Sequence, residues 1–427
     1  MDNSLKVALL GCGTVGSQVA RVLLENQRVL QARVGRPLEL VGVAVRDAAK
    51  PRAGIDPALL TTDAEALVRG GGVDIVIELI GGVEPARSLI LAAIESGASV
   101  VTANKALLAC DGPTIYEAAQ AGGVDVYFEA AVAGAIPIIR PLRESLVGDQ
   151  ITSVVGIVNG TTNYILERMA NEGADYTDVL ADAQRLGYAE ADPTADVEGF
   201  DAASKAAILS SLAFHTRVTL EDVSREGITG ITAEDIAAAK EMGCVIKLLA
   251  RCSVGEDRSV SVGVHPTMVP LGHPLAGIPG AFNAVFIESR YAGRLMFMGP
   301  GAGGSPTASA VMGDVVTAAR NRARGTVGPG ESAYSHRKIN PEGAERSRFY
   351  TAMIVEDRPG VLAEVAATFA RHDVSIQAVR QDGQGEDAKL GIMTHVAAHA
   401  DLSAALAELA SLGAVKSKIA MMRVEGD

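Results

Sequence analysis

Six residues near the N-terminus, GCGTVG from Gly11 to Gly16, constrain this chain more than any other stretch. They follow a short apolar run, KVALLG (6–11), and open an amphipathic one, GSQVARVLLENQRVL (16–30). The first has the length of a buried strand, the second the period of a helix. Between a strand and a helix, each glycine of G-x-G-x-x-G has its own task. Gly11 makes the tight turn, Gly13 lets backbone approach a pyrophosphate, and Gly16 permits close helix–strand packing. N–H groups at the helix start, around Thr14 and Val15, then meet the phosphates with the helix's partial positive charge. An ordinary tight turn could use the same glycines, but the strand–motif–helix register favours dinucleotide binding.

The same alternation continues. LELVGVAV (38–45), VDIVIELI (73–80) and SVVTA (99–103) have strand length, and PARSLILAAIESG (85–97) reads as a helix capped near Gly97. Residues 1–130 therefore predict an α/β domain, a Rossmann doubly wound parallel sheet covered by helices on both faces. The texture changes at about 130, and 131–303 predict an α+β domain in which ITSVVGIVNGTTNYILERMA reads strand, loop, helix. A Gly-rich loop at 299–303 feeds one more amphipathic helix, 304–322, able to return to the first domain. Residues 325–346 lack either periodicity and read as a linker. The remainder, 347–427, orders as βαββαβ, the ferredoxin-like arrangement.

Bulk properties narrow the function. A chain of 427 residues is too long for one ordinary core, and 48% hydrophobic against 21% charged residues describes a compact protein. With no Trp and 4% aromatics, its cores are built from Val, Ile, Leu and Ala. A formal charge of −13 argues against nucleic acid or an anionic membrane as partner. No apolar run has membrane-spanning length and the N-terminus lacks a signal-peptide pattern. Cys12, Cys110, Cys244 and Cys252 show neither paired nor metal-type spacing, which fits a reducing cytoplasm.

Three stretches carry candidate chemistry. The second strand ends VAVRD, placing Arg46 where NAD-selective proteins usually carry an acid. A guanidinium suits a 2′-phosphate, so NADP is favoured over NAD, although a solvated surface arginine would look the same. GFDAASKAAIL puts Asp201 and Lys205 at i,i+4 on one face of an otherwise apolar helix. They form either a structural ion pair or a lysine kept protonated as a general acid. Upstream, Glu190, Asp192, Asp196 and Glu198 crowd one segment, readable as a solvated loop, a hard-cation site or a holder for a substrate ammonium. In TANKALLA, Lys105 falls just past a strand's C-terminal end, where open α/β sheets bind ligands. His215, His265 and His273 show no metal spacing and read as structural.

Together, ALLGCGTVG, VTANKALLA, FEAAVAGAIPII, NGTTNYIL, LGYAEADPTADVEGFDAASKAAIL and GPGAGGSPTASAV resemble the homoserine dehydrogenase family, and residues 349–427 resemble an ACT domain. The resemblance covers nearly the whole chain outside 325–346 and is to the monofunctional, ACT-bearing form. It implies reversible, NAD(P)H-dependent reduction of L-aspartate 4-semialdehyde to L-homoserine in threonine, methionine and isoleucine biosynthesis. It makes Lys205 the proton donor to the aldehyde oxygen, Asp201 its neighbour, and Lys105 a second lysine between cofactor and substrate. It gives the substrate ammonium to Glu190, with Asp196 and Tyr188 in the same pocket, and the carboxylate to Gly160 and Thr161. Gly303 then lies near the nicotinamide, and Glu129, Val132, Gly134 and Ile136 hold sodium or another monovalent cation. The 131–303 domain would carry catalysis and dimerisation in a homodimer or homotetramer. Gly360, in EDRPGVLAEVA, would let an amino-acid effector approach the backbone, L-threonine being the expected one; a dimerisation module that binds nothing is the alternative.

Aspartate-semialdehyde dehydrogenase shares the metabolite but needs a catalytic cysteine, and neither Cys12 nor Cys110 suits that role. Another lysine-assisted amino-acid dehydrogenase remains open. A non-enzymatic amino-acid or redox sensor leaves the constellation of Lys105, Glu190, Asp201 and Lys205 unexplained.

Overall fold

A computed structural model describes residues 4–330, 334–341, 343–383 and 386–426. β1 (Leu5–Leu10), β2 (Leu38–Ala44), β3 (Leu60–Thr61), β4 (Ile75–Glu78), β5 (Ser99–Thr102) and β6 (Val126–Tyr127) form an all-parallel sheet. Its order is β3-β2-β1-β4-β5-β6. The connecting helices are α1 (Thr14–Glu25), α2 (Gln27–Val34), α3 (Ala64–Arg69), α4 (Ala86–Glu95) and α5 (Lys105–Gly122). β4 and β5 are buried at every position, which is why they read as continuous apolar runs. The strand order reverses between β1 and β4, opening a crevice at their C-terminal ends.

The helix expected over 16–30 is two helices. Asn26 leaves the helical region (φ −107°, ψ 21°), so α1 stops at Glu25 and α2 starts at Gln27. Asparagine competes poorly for helix interiors because its amide bonds the backbone locally in other conformations.

Next in chain order come β7 (Ile151–Ile157), α6 (Gly160–Glu172), α7 (Tyr176–Arg185), α8 (Thr194–Val197), α9 (Phe200–Phe214), β8 (Ser224–Arg225) and α10 (Ala233–Glu241). They are followed by β9 (Cys244–Val254), β10 (Val260–Pro270), β11 (Phe282–Ser289), β12 (Gly293–Pro300) and α11 (Gly304–Arg324). The C-terminal elements are β13 (Arg346–Glu356), α12 (Val361–Arg371), β14 (Ile376–Asp382), β15 (Asp387–Thr394), β16 (Ala397–Ala398), α13 (His399–Leu409) and β17 (Ala420–Val424).

These elements form two compact units, one of residues 1–160, 201–221 and 281–337, the other of 161–200, 222–280 and 338–427. In the first, α11 lies on the parallel sheet's core: Ala308, Val311, Met312, Val315, Ala318 and Ala319 pack with Val7, Leu9, Val19, Leu23 and Ile75. The alanines let α11 approach α1 closely, while each buried Val, Leu or Ile contributes ~1.5–3 kcal/mol. β7, β11 and β12 add an antiparallel set.

In the second unit, β13, β14, β15 and β17 form a sheet in the ferredoxin-like order β17-β13-β15-β14. α12 and α13 close over a core of Phe349, Val365, Phe369, Leu390, Ile392, Leu402 and Leu409. The pairing continues past β17. This strand runs parallel to β10, with Thr267 opposite Arg423 and Met268 opposite Val424, and β10 pairs antiparallel with β9 throughout. Of the segment 325–346, residues 331–333 and 342 lie outside the described residues. Ser335 N donates to His215 O (2.7 Å), and Asn340 N to Val260 O (2.8 Å).

Candidate active site

The turn after β1 has the form its glycines imply. Gly11 sits at φ +95°, where a Cβ would come within 2.6 Å of the Leu79 carbonyl oxygen. A Cβ on Gly16 would collide with the Gly11 carbonyl, whereas one on Gly13 would meet nothing. Two glycines are therefore required by the fold itself, and the third leaves open space against the backbone. Gly13 caps α1 without a side-chain hydrogen bond, leaving the first N–H groups for an anion. A dinucleotide pyrophosphate fits this arrangement. The loop before α11 stands beside it: Gly303 (φ +122°) caps α11, and a Cβ on Gly304 would lie 2.9 Å from the Thr14 carbonyl oxygen.

Arg46 is exposed just beyond β2. Arg52, which the sequence did not single out, folds back onto the Cys12 thiol: burial pushes this thiol up, and the Arg52 guanidinium opposes the rise. Arg52 Nη1 also donates to the carbonyls of Asp47 (3.0 Å) and Lys50 (2.8 Å). No spacing rule could have found it, because a loop's return path is set by tertiary structure.

Lys105 is placed by a buried polar knot. Glu78 accepts from the backbone N–H groups of Ile80 (2.7 Å) and Gly81 (3.0 Å) and from Thr102 Oγ1 (2.6 Å). Thr102 Oγ1 in turn accepts from Asn104 N (3.0 Å), and Asn104 Oδ1 caps α5 by accepting from Leu107 N (3.1 Å). TANK is thus a strand end and a helix cap, with Lys105 as first helical residue and its ammonium paired to Asp201.

Asp201 and Lys205 lie on α9, whose alanines bury it on nearly all sides, and are only 7% and 8% exposed. Lys205 Nζ donates to Asp201 Oδ2 (2.6 Å) and to the Val158 carbonyl (2.7 Å). Asn159 Nδ2 donates to the same Oδ2 (2.9 Å), while Oδ1 faces Lys105. Burial alone would push the Asp201 carboxyl up, but the Lys205 and Lys105 ammoniums overcome it and hold this group well below the usual carboxylate range. One carboxylate between two lysines leaves net positive charge, which suits an oxygen gaining negative charge. The sequence paired Asp201 with Lys205; the structure shows one carboxylate bridging both candidate lysines. Asn159 was missed, because hydrogen bonding across elements leaves no periodic trace.

Both carboxylate oxygens of buried Glu129 are engaged, accepting from the backbone N–H groups of Ile138 (2.6 Å), Ile139 (2.7 Å) and Arg140 (3.0 Å). Ala133 and Gly134 both adopt φ +58°, and a Cβ on Gly134 would strike the Gly301 peptide. The Val132, Gly134 and Ile136 carbonyls accept no hydrogen bond among the described residues. Carbonyl oxygens are the donor type a hard monovalent cation takes, and Glu129 shapes this loop by its backbone contacts. Ala135 N donates to the Pro300 carbonyl (3.1 Å), tying this loop to the one that ends at Gly303.

The remaining candidates divide between the units. Gly160 has no room for a side chain, since a Cβ would stand 2.5 Å from the Ala281 carbonyl oxygen. In the second unit, Thr161 Oγ1 donates to the Tyr188 carbonyl (2.7 Å), and the half-exposed Tyr188 ring lies 4.6 Å from that of Tyr164. Glu190 is exposed and Asp196 lies on α8. The acid-rich run forms no cluster of metal-ligating side chains among the described residues. Asp192 accepts from Thr194 N (3.1 Å), Glu198 from Thr229 Oγ1 (2.9 Å), and among the described residues no group of three His, Cys, Asp or Glu could hold a metal. His273 caps a short turn through Leu275 N, and buried His265 contacts Ser224 Oγ.

Comparison with known proteins shows what this chain is similar to. Residues 11–129 match a family model for the NAD-binding domain of homoserine dehydrogenase, 137–316 a homoserine dehydrogenase model, and 350–414 an ACT domain model. A homoserine dehydrogenase of Corynebacterium glutamicum is 54% identical over 100% of this chain and 96% of its own length. The crystal structure of one from Thiobacillus denitrificans superposes with a TM-score of 0.93 at 42% identity, covering 99% of this chain and 98% of that one. A hyperthermophilic archaeal homoserine dehydrogenase solved in complex with NADPH is similar at a TM-score of 0.64 and 27% identity, over 74% of this chain and 97% of that one. Among the described residues no helix is long and apolar enough to cross a membrane.

Proposed function

The chain belongs to the homoserine dehydrogenase family of NAD(P)-dependent oxidoreductases, and from that premise we propose how its own residues carry the reversible reduction of L-aspartate 4-semialdehyde to L-homoserine. The observation that carries the reading is Asp201 bridging Lys105 and Lys205 in a buried setting. The bound nicotinamide supplies the hydride. As negative charge grows on the aldehyde oxygen, Lys205 meets it and gives up a proton. Asp201 keeps Lys205 charged for the next reduction, and Lys105 adds a second positive charge on the carboxylate's other oxygen. In the oxidative direction Lys205 has to be neutral to accept the hydroxyl proton, so homoserine oxidation favours higher pH than aldehyde reduction.

Substrate recognition falls to Gly160 and Thr161 for the carboxylate, and to Glu190 with Asp196 and Tyr188 for the ammonium. The cofactor site comprises Gly11, Gly13, Thr14, Val15, Gly16 and Gly303. Arg46, with Lys50 and Arg52 following in the same loop, supports NADP over NAD through attraction to a 2′-phosphate. Val132, Gly134 and Ile136 would hold sodium or a similar cation, with Glu129 fixing the loop. Gly360 caps α12 at φ +97° with open space around it, which supports L-threonine as an effector approaching that backbone. We assign residues 131–303 to catalysis and dimerisation within a homodimer or homotetramer, and four free cysteines support a reducing cytoplasm.

The test follows NADPH and NADH absorbance with purified protein and L-aspartate 4-semialdehyde, with and without L-threonine and sodium. Oxidation that is faster with NADPH and slowed by threonine is the expected result. No oxidation of either cofactor with the cation supplied overturns the catalytic assignment, and equal rates overturn the NADP preference.

A further inference from the structure

Lys247 is the buried lysine that the mechanism leaves unused. It sits on β9, only 4% exposed, and no carboxylate lies within ion-pair distance of it among the described residues. Its ammonium donates to Asn163 Oδ1 (2.8 Å) and to the Ile278 carbonyl (2.9 Å). Asn163 Nδ2 donates to the carbonyls of Gly280 (2.7 Å) and Ile278 (3.2 Å). The Gly280 N–H donates to Glu167, one helical turn further along α6. Lysine, asparagine and the 278–280 backbone therefore form one closed network with every member engaged.

An apolar side chain of similar length would fill this position without the cost of desolvating an ammonium. Burial pushes Lys247 down to about 8, opposed by Glu167, so it still carries its charge near neutral pH. That charge has a defined address. Asn163 is in the first turn of α6, three residues after Gly160 and two after Thr161. A helix start already favours an anion, and an ammonium buried behind its first turn adds to the same potential with little solvent to screen it.

We propose that Lys247 is a positioning residue for the substrate carboxylate: it anchors the first turn of α6 through Asn163 and supplies fixed positive charge behind the Gly160–Thr161 turn. This rests on the assignment of that turn to the carboxylate. Lys247 itself touches neither substrate nor cofactor.

The test compares Lys247→Met, the double variant Lys247→Met/Asn163→Leu, and Thr161→Ala with the parent chain. The readouts are KM and kcat for L-homoserine, NADPH affinity from nicotinamide fluorescence, and thermal midpoint. Lys247→Met is expected to raise KM about tenfold while kcat stays within about twofold, because a charge sensed equally in ground and transition states acts on binding. NADPH affinity should not change. The double variant also strips the Ile278 and Gly280 carbonyls of their donors, so its thermal midpoint should fall below that of Lys247→Met. Its KM should stay high. Recovery of KM in the double variant overturns the charge role, and an unchanged KM in Lys247→Met overturns the proposal while Thr161→Ala still raises KM. If Thr161→Ala leaves KM unchanged as well, the assignment of the turn is what fails, and the inference falls with it.

Discussion

Asp201 is the residue on which the chemistry proposed for the first unit turns, because a single carboxylate holds two lysines that sequence spacing connects only in part. The i,i+4 relation to Lys205 was legible in GFDAASKAAIL, since helix geometry fixes it. The bond to Lys105, ninety-six positions earlier, was not, because it depends on where α5 begins relative to α9. Lys205→Ala is expected to lower kcat by ~10²–10⁴, the usual range for a positioned general acid. NADPH affinity should stay nearly intact, as no glycine-loop contact is lost. Substantial retained turnover would mean that another group donates the proton. Asp201→Asn tests the electrostatics separately. Removing the charge between two ammoniums should cost about 3–5 kcal/mol of stability at pH 7. The native carboxyl titrates below its unfolded value of 3.8, so its stabilisation is complete above that value and fades as pH falls through the depressed native one. The gap between parent and variant, measured by urea unfolding, should shrink by roughly 1.4 kcal/mol per pH unit between pH 4 and 2. A gap independent of pH would show that Asp201 acts through packing.

At the scale of elements, the glycine loop shows what a motif fixes and what it leaves out. G-x-G-x-x-G is legible because each glycine answers a steric demand a few residues away, and β1, α1 and the loop appear where the pattern put them. The break at Asn26 was not legible, since one residue's choice between helix and cap is decided by its surroundings. Nor was Arg52, whose loop returns to Cys12 only once β2 is in place. The glycines also separate fold from binding. Gly13→Ala meets no atom, so its unfolding free energy should stay within about 0.5–1 kcal/mol of the parent while NADPH affinity falls at least about tenfold, because the added methyl occupies the proposed pyrophosphate space. Gly16→Ala meets the Gly11 carbonyl and should lose stability as well as binding. If Gly13→Ala binds NADPH as tightly as the parent, the phosphates lie elsewhere.

For the whole molecule, the least legible feature is how the C-terminal βαββαβ module is joined. The sequence offers its periodicities and a Gly- and Pro-rich approach, which together suggest a part hung on a spacer. Strand register between distant segments has no signature in either segment alone, and here it decides the outcome: β17 of the module is the parallel neighbour of β10. The seam is dry. Met268 and Val424 are each 1% exposed, and Arg423, 8% exposed, reaches toward Glu345 (3.4 Å) and Glu226 (3.7 Å). Deleting residues 347–427 would strip β10 of this neighbour and leave unpaired N–H and C=O groups beside newly exposed apolar side chains, the condition that drives edge-to-edge association. The shortened chain is expected to melt earlier than the parent and to associate in a concentration-dependent way by size-exclusion chromatography. It should still bind NADPH, since the glycine loop and its supporting helices belong to the other unit. A module merely tethered by its approach would give the opposite result, a shortened chain with the parent's thermal midpoint and elution. That outcome would mean the β10–β17 pairing contributes nothing to stability, and that any signal from an effector at Gly360 leaves the module by another route.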